Sequence, residues 1–182
     1  LHANRVKALP ANTPINEAEF SVFSQTGEDG IIQFILAHTP NVPKSFIEFG
    51  VGTYIEANTR FLLKNNYWRG LLLEAEESFV RYIKTDKICW SYDLTVVQSF
   101  ITIDNINQLI GDAGFSGDIG LLSVDIDGND YWIWEKIDVV NPTIVICEYN
   151  AAYGSELAVT IPYKEDFART QAHYSDLYYG AS

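Results

Sequence analysis

The chain has 182 residues and a mass of 20.5 kDa, the size of one domain with a substantial buried core. Its composition, 47% hydrophobic, 14% aromatic and 20% charged, excludes collagen-like, coiled-coil and broadly disordered proteins. Twelve basic residues against 24 acidic ones give a formal net charge of −12, and the basic residues are scattered along the chain. Nucleic acid and anionic membrane surfaces are therefore disfavoured as partners, because both draw affinity from clustered Lys and Arg.

Two further features concern the compartment. The two cysteines, Cys89 and Cys147, are far apart, which favours a reduced, cytoplasmic protein over a disulfide-stabilised one. No apolar stretch approaches the ~20 residues that cross a bilayer, so the sequence predicts a soluble protein without membrane insertion.

In chain order, the first feature is a segment without periodicity. Residues 1–19 contain two prolines, which predicts a peripheral arm ahead of a domain at 20–182. The domain opens with Thr26 and Asp29, which have capping-box spacing before the apolar residues of 31–36. This pattern predicts a helix of about three turns.

From residue 45 onward, short apolar runs alternate with helical patterns. The runs with the length and β-branched content of buried strands are 46–49, 70–74, 96–101, 120–125 and 143–148. The helical stretches between them are 57–65, 77–84, 104–112 and 130–137. This alternation predicts an α/β fold with a mainly parallel sheet and helices on both faces. The pattern stops after Tyr149.

The first predicted strand runs into a glycine-rich turn, Glu48-Phe49-Gly50-Val51-Gly52-Thr53, and the second ends at Glu74. Ligands of open parallel sheets lie at the carboxyl ends of the strands, and Glu74 follows Gly52 by 22 residues, near the ~20 typical of an acid that binds a ribose diol. The pair indicates a cofactor that contains adenosine. The alternative is an ordinary two-glycine turn followed by an acidic helix start.

The third position of the dinucleotide fingerprint is Ile55 instead of glycine. That departure favours a cofactor with a ribose but no phosphate, such as S-adenosylmethionine, over a nicotinamide dinucleotide.

Carboxylates also end the fourth and fifth predicted strands. Asp125 and Asp127 can share one strand face, as can Glu148 and Asn150. Such a set can act as a general base, bind a hard cation such as Mg²⁺, or hold a polyol. The alternative for Asp127, Asn129 and Asp130 is a turn that caps the next helix. For these three residues, both a functional role and a turn role stay open.

Other chemistries find little support. The sequence has no G-x-S-x-G, H-E-x-x-H or phosphate-loop motif, and its three histidines lack metal-ligand spacing. Only His173 lies in a polar and aromatic stretch suited to face a substrate, and a solvated loop is the alternative for it.

Several of these motifs together resemble one family. They are Ser24-Gln25-x-Gly27-Glu28-Asp29-Gly30, Phe46-Ile47-Glu48-Phe49-Gly50-Val51, Asn58-Thr59-Arg60-Phe61-Leu62-Leu63, Ser123-Val124-Asp125-Ile126-Asp127-Gly128-Asn129-Asp130-Tyr131 and Glu148-Tyr149-Asn150. From about Phe20 to Ser182 the chain resembles the FkbM-like S-adenosylmethionine-dependent methyltransferases, in particular a bacterial branch. The resemblance implies a Rossmann-like class I methyltransferase sheet and O-methylation of sugars in polysaccharides or metabolites.

The resemblance also implies roles for individual residues. Glu48, Gly50, Gly52 and Thr53 belong to the methionine-side loop, Glu74 holds the ribose, Asp125 stands at the fourth strand end and Gln25 borders the cofactor pocket. The class I fold closes its sheet with two further strands, and Tyr179-Gly180-Ala181-Ser182 is expected to begin the helix that leads to them. We therefore expect that the two C-terminal strands that close the sheet are not part of the 182 residues.

For the chemistry, Asp127 and Glu148 are the expected proton acceptors, with His173 third. A cation held by Asp125, Glu148 and Asn150 is an alternative way to activate the hydroxyl. Two other functions compete. One is an NAD-dependent sugar oxidoreductase, disfavoured by Ile55 and by the lack of a Tyr-x-x-x-Lys pair. The other is a non-catalytic domain that binds a nucleoside or a partner.

Overall fold

Five parallel strands form one sheet in the computed structural model, which describes residues 2–182. The strands are Ser45–Phe49 (β1), Arg69–Glu74 (β2), Leu94–Gln98 (β3), Gly117–Val124 (β4) and Val140–Cys147 (β5). All five predicted strands are confirmed, but β3 lies earlier than the predicted run 96–101. The reason is register: Gln98 pairs with Glu74, the last residue of β2, so the ladder ends there.

Helices connect the strands, as the alternating pattern predicts. They are His2–Lys7 (α1), Glu28–His38 (α2), Arg60–Asn66 (α3), Glu77–Thr85 (α4), Ile88–Ser91 (α5), Ile106–Asp112 (α6), Asp130–Lys136 (α7) and Arg169–Ala172 (α8), with 3₁₀ turns at Ile15–Ala18 and Ala151–Tyr153. Within residues 2–182, none of these helices has the length and apolar character that a bilayer span requires.

Alternate residues of each strand point to opposite faces of the sheet, and each face carries its own core. Phe46, Leu72 and Leu121 pack with residues of α2, α3, α4 and α5. Their chain neighbours Ile47 and Leu122 pack on the other face with residues of α6 and α7. Helices therefore cover both faces, which explains why the strands read as continuous apolar runs.

The N-terminal segment, predicted as a peripheral arm, packs against α2. Val6 in α1 and Ala18 are fully buried and form a small cluster with Phe34 of α2. The sequence does not predict this packing, because each short element contributes only one side chain to the cluster and therefore shows no hydrophobic periodicity.

The start of α2 also differs from the predicted capping box. Its N-cap is Gly27, with no side-chain cap hydrogen bond. Instead, the buried Asp29 carboxylate accepts hydrogen bonds from the amides of Val22, Phe23 and Ser24, at 2.7, 2.7 and 3.1 Å. The Ser24 hydroxyl oxygen accepts one from the Asp29 amide at 2.9 Å. Asp29 thus fixes the loop that carries Gln25.

The strand order is β3-β2-β1-β4-β5, so the order reverses between β1 and β4. Ligands of open parallel sheets bind at such a point. Beyond β5 the chain folds back over the strand ends. The expected helix start at 179–182 is wrong, because Ala181 pairs with Thr160 in an antiparallel bridge.

Candidate functional site

Two glycines shape the turn after β1, and both have positive φ angles, +65° at Gly50 and +52° at Gly52. A Cβ at Gly50 would lie 1.9 Å from the carbonyl oxygen of Asp125, so this position brings the ends of β1 and β4 together. A Cβ at Gly52 would meet nothing within 4 Å. Gly50 therefore permits the close contact between the two strand ends, whereas Gly52 leaves open space beside its backbone.

Glu74 faces this turn from the end of β2. Its side chain is buried, and one carboxylate oxygen, Oε2, accepts a hydrogen bond from the Gly52 amide at 2.7 Å. The other, Oε1, accepts one from the Glu76 amide at 2.9 Å. Each oxygen of a carboxylate has two acceptor positions, so both retain capacity for a ligand hydroxyl.

A cavity of about 280 Å³ opens between the glycine turn and Glu74. Its walls combine apolar side chains with polar strand-end residues: Gly50, Gly52, Leu73, Glu74, Ala75, Phe79, Ser99, Phe100, Ile101, Asp125, Ile126, Asp127, Asn129 and Phe167. We call this the strand-end cavity. A smaller cavity of about 170 Å³ adjoins it at Gly50 and Asp125 and is lined by Gln25 and Glu48 among others. Thr53 is half-buried on the same loop and lines neither cavity.

Glu48 has a different position from Glu74. It is buried, with Oε1 accepting a hydrogen bond from the Asn58 amide at 2.9 Å and Oε2 accepting from the Thr59 amide at 3.2 Å and from the Thr59 hydroxyl. Burial raises the pKa of Glu48 to about 7 despite these hydrogen bonds. Its carboxylate therefore accepts the hydrogen bonds of the backbone amides immediately before α3.

Three carboxylates meet at the ends of β4 and β5. Oxygens of Asp125, Asp130 and Glu148 all lie within 4.8 Å of one another. Asp130 is fully buried and accepts hydrogen bonds from the amides of Ile126 at 2.7 Å and Gly128 at 2.9 Å. The turn role that the sequence leaves open for Asp130 is thus confirmed, and the same side chain also joins the acidic cluster.

The environment of this cluster shifts its titration. Burial, followed by the charges of Asp125 and Asp130, raises the pKa of Glu148 to about 8. Partial burial and the charges of Asp130 and Asp127 raise the pKa of Asp125 to about 6. Within residues 2–182, the buried Oε2 of Glu148 has no hydrogen-bond partner. Glu148 is therefore the cluster member that combines an unpartnered carboxylate oxygen with a raised pKa, and it lines neither the strand-end cavity nor the smaller cavity.

Asp127 is exposed, has a positive φ of 55° and forms an ion pair with Arg169. The Arg169 guanidinium also lies 4.0 Å from Oε1 of Glu148 and stacks on the Tyr179 ring, 3.6 Å from its centroid. Its Nε donates to the carbonyl oxygen of Asp176 at 2.9 Å. Sequence reasoning missed Arg169, because it belongs to a segment without periodicity, 42 residues after Asp127.

Two other predicted site residues lie elsewhere. Asn150 is buried and is held by the backbone after β5: its amide nitrogen donates to the carbonyl oxygens of Leu177 and Tyr179, each at 2.9 Å, and its side-chain oxygen accepts from the Ala152 amide at 3.0 Å. His173 is exposed, pairs with the Ser175 hydroxyl at 2.7 Å and does not line the strand-end cavity.

Gln25 lines the smaller cavity and Asp125 lines both, so the structure brings most of the predicted cofactor residues to one edge of the sheet. Comparison of the chain with family models, with curated proteins and with solved structures finds no match. The likeness to FkbM-like methyltransferases therefore stays a prediction from motifs.

Proposed function

We propose that the chain is an S-adenosylmethionine-dependent methyltransferase that acts on a sugar hydroxyl. The observation that carries the proposal is Glu74, a buried carboxylate at a strand end that is hydrogen-bonded to a two-glycine turn and lines a cavity beside the reversal of strand order. This is where open parallel sheets bind nucleoside cofactors, with an acid at that strand end for the ribose.

The residues at the site fit such a cofactor. Glu74 retains acceptor positions for a ribose diol, and Phe79, Phe100 and Ile101 supply apolar walls for an adenine ring. The adjoining cavity, beyond Gly50 and Asp125, is lined by carboxylates and offers negative charge for a cationic methionine end. When bound, S-adenosylmethionine supplies an activated methyl group. The two cavities together reach the range of ~300–1,000 Å³ that small-molecule sites occupy.

A phosphate-containing cofactor fits less well. Dinucleotide sites hold a pyrophosphate on free amides at the start of the helix after the glycine turn. Here the amides of that loop already have acceptors at Gly50, Gly52, Tyr54, Ala57, Asn58 and Thr59. This arrangement favours S-adenosylmethionine over NAD.

For the transfer itself, the chain must orient a hydroxyl and take up its proton. We assign the proton to the Glu148 carboxylate, whose side chain is partly exposed and whose pKa is raised by burial to about 8. Asp127 is the weaker candidate because Arg169 already neutralises its charge. The carboxylates of Asp125, Asp130 and Glu148 also have the donor chemistry of a Mg²⁺ site, and no part of this assignment depends on a cation.

The proposal is tested by calorimetric titration of the 182-residue chain with S-adenosylhomocysteine and, separately, with NAD. We expect binding of the first and none of the second. Binding of NAD alone would overturn the proposal in favour of an oxidoreductase. Binding of S-adenosylhomocysteine without methyl transfer to a panel of free sugars and glycosides would identify a non-catalytic nucleoside-binding domain.

A further inference from the structure

A second hollow, of about 540 Å³, lies beside the strand-end cavity and is built entirely by the chain after β5. Its lining comes from residues 162–178, and we call it the tail hollow. Phe167 lines both this hollow and the strand-end cavity, so the two adjoin at its side chain. The volume falls within the ~300–1,000 Å³ of ligand sites.

The tail hollow is fixed to the same loop that carries the acidic cluster. Trp132 Nε1 donates to the carbonyl oxygen of Ile161, and Asn129 Nδ2 donates to that of Lys164, each at 2.8 Å. Phe167 packs directly on Gly128, where an added Cβ would lie 2.3 Å from its ring. A ligand in the hollow is thereby held next to the loop of residues 125–130.

The walls of the hollow are aromatic and polar, with little net charge. Phe167 and Tyr178 have ring centroids 6.4 Å apart, and the Tyr178 side chain is exposed. The charges of Lys164 and Asp166 lie 3.3 Å apart and largely cancel, while Gln171 adds an amide that both donates and accepts hydrogen bonds. Aromatic faces beside neutral hydrogen-bonding groups suit a ring with apolar C–H faces and hydroxyl edges.

We propose that the tail hollow is the acceptor site and that it binds an uncharged glycosyl unit, whose hydroxyl reaches the methyl donor past the Phe167 side chain, where the hollow adjoins the strand-end cavity. An anionic sugar is disfavoured because the chain has a net charge of −12. The role as acceptor site rests on the proposed function. Sugar binding in the hollow does not.

The probes are methyl glycosides of neutral hexoses and of 6-deoxyhexoses, with methyl glucopyranosiduronate as the charged counterpart. Saturation-transfer NMR on the 182-residue chain measures their binding with and without S-adenosylhomocysteine. The variants are Tyr178→Ala and Gln171→Ala, and the matched control is Tyr174→Ala, because Tyr174 is 94% exposed and does not line the hollow. Circular dichroism melting checks that each variant is folded.

We expect neutral glycosides to bind, the uronate to bind more weakly, and Tyr178→Ala to weaken binding about two- to tenfold, the scale of one aromatic contact. Tyr174→Ala should leave binding unchanged. Failure of every neutral glycoside to bind, or equal binding by Tyr178→Ala, would overturn the assignment of the hollow. Titration of the same samples with S-adenosylhomocysteine separates the two proposals. If S-adenosylhomocysteine binds and no sugar binds, only the sugar site is rejected. If a sugar binds and S-adenosylhomocysteine does not, only the assignment of the methyl donor is rejected.

Discussion

The Glu74 carboxylate and the Gly52 amide are joined by a 2.7 Å hydrogen bond, although the two residues lie 22 positions apart in the chain. The bond ties the end of β2 to the turn that follows β1, at the mouth of the strand-end cavity. One side chain therefore orients the glycine turn and presents acceptor positions to the cavity.

Replacing Glu74 by Ala should weaken S-adenosylhomocysteine binding by about 1.5–3 kcal/mol, the scale of hydrogen bonds to a charged group. Calorimetric titration measures the change. Glu77→Ala is the matched control, because Glu77 lies three residues further on, on the exposed side of α4, and pairs with Arg81. Unchanged affinity in a folded Glu74→Ala protein would show that the ribose assignment is wrong.

The two glycines of the turn should differ in their tolerance of a methyl group. Gly50→Ala places a Cβ against the Asp125 carbonyl oxygen and should destabilise the fold by several kcal/mol or prevent folding. Gly52→Ala meets no atom within 4 Å and should lose only about 1–2 kcal/mol from its positive φ.

Urea denaturation of the two variants measures this difference. Equal losses would mean that backbone conformation, and not the contact between the two strand ends, sets the requirement at Gly50.

Stability should fall as the pH rises from about 4.5 to 8. Burial raises the pKa of Glu48 to about 7 and that of Glu148 to about 8, so the folded chain holds protons that the unfolded chain, with ordinary carboxyl pKa values, has released. Asp125 is solvent-accessible, which screens its share. Glu148→Gln cannot ionise and should therefore show a shallower decline between about pH 4.5 and 8.

Thermal melting across pH 5–9 for wild type and Glu148→Gln tests this expectation. A melting temperature that rises with pH in wild type, or identical slopes in the two proteins, would contradict the assignment of a raised pKa to Glu148.

Glu148→Gln should abolish most methyl transfer, with kcat lowered by about 10²–10⁴-fold, the usual contribution of a general base. Asp127→Asn should have a much smaller effect, because Asp127 is exposed and already paired with Arg169. The assay is transfer from labelled S-adenosylmethionine to neutral glycosides, with S-adenosylhomocysteine affinity as the control for an intact donor site.

The same assay in EDTA separates proton transfer from metal activation. Turnover that vanishes in chelator and returns with Mg²⁺ would show that the acidic cluster works as a cation site. Full activity of Glu148→Gln would remove this residue from the mechanism.

The strands could be predicted because a parallel sheet covered on both faces demands uninterrupted apolar runs. The boundary of β3 could not, because it depends on where the neighbouring β2 ends, at Glu74, and not on the apolar residues Phe100 and Ile101 that follow. The packing of α1 was also missed, since a single buried residue, Val6, leaves no period to read.

The site divides in the same way. Glu74 and Gly50 were predictable because strand ends of an open sheet converge on one edge. The grouping of Asp125 with Asp127 on one face assumed that the alternation of a strand continues past β4, but the chain turns at Asp127, where φ is 55°. That turn brings in Asp130. Arg169 and Phe167 reach the site from a distant segment, which only the folded chain reveals.

Glu48 has one more consequence, for the competition among ligands. Nucleotide phosphates are attracted to vacant amides ahead of a helix, and here an internal carboxylate has permanently taken those amides at Asn58 and Thr59. Under the proposed function, these amides are already satisfied in the ligand-free chain, whatever the shape of the cavity. A nucleoside without a phosphate does not need them, so we expect the chain to prefer it to a nucleotide.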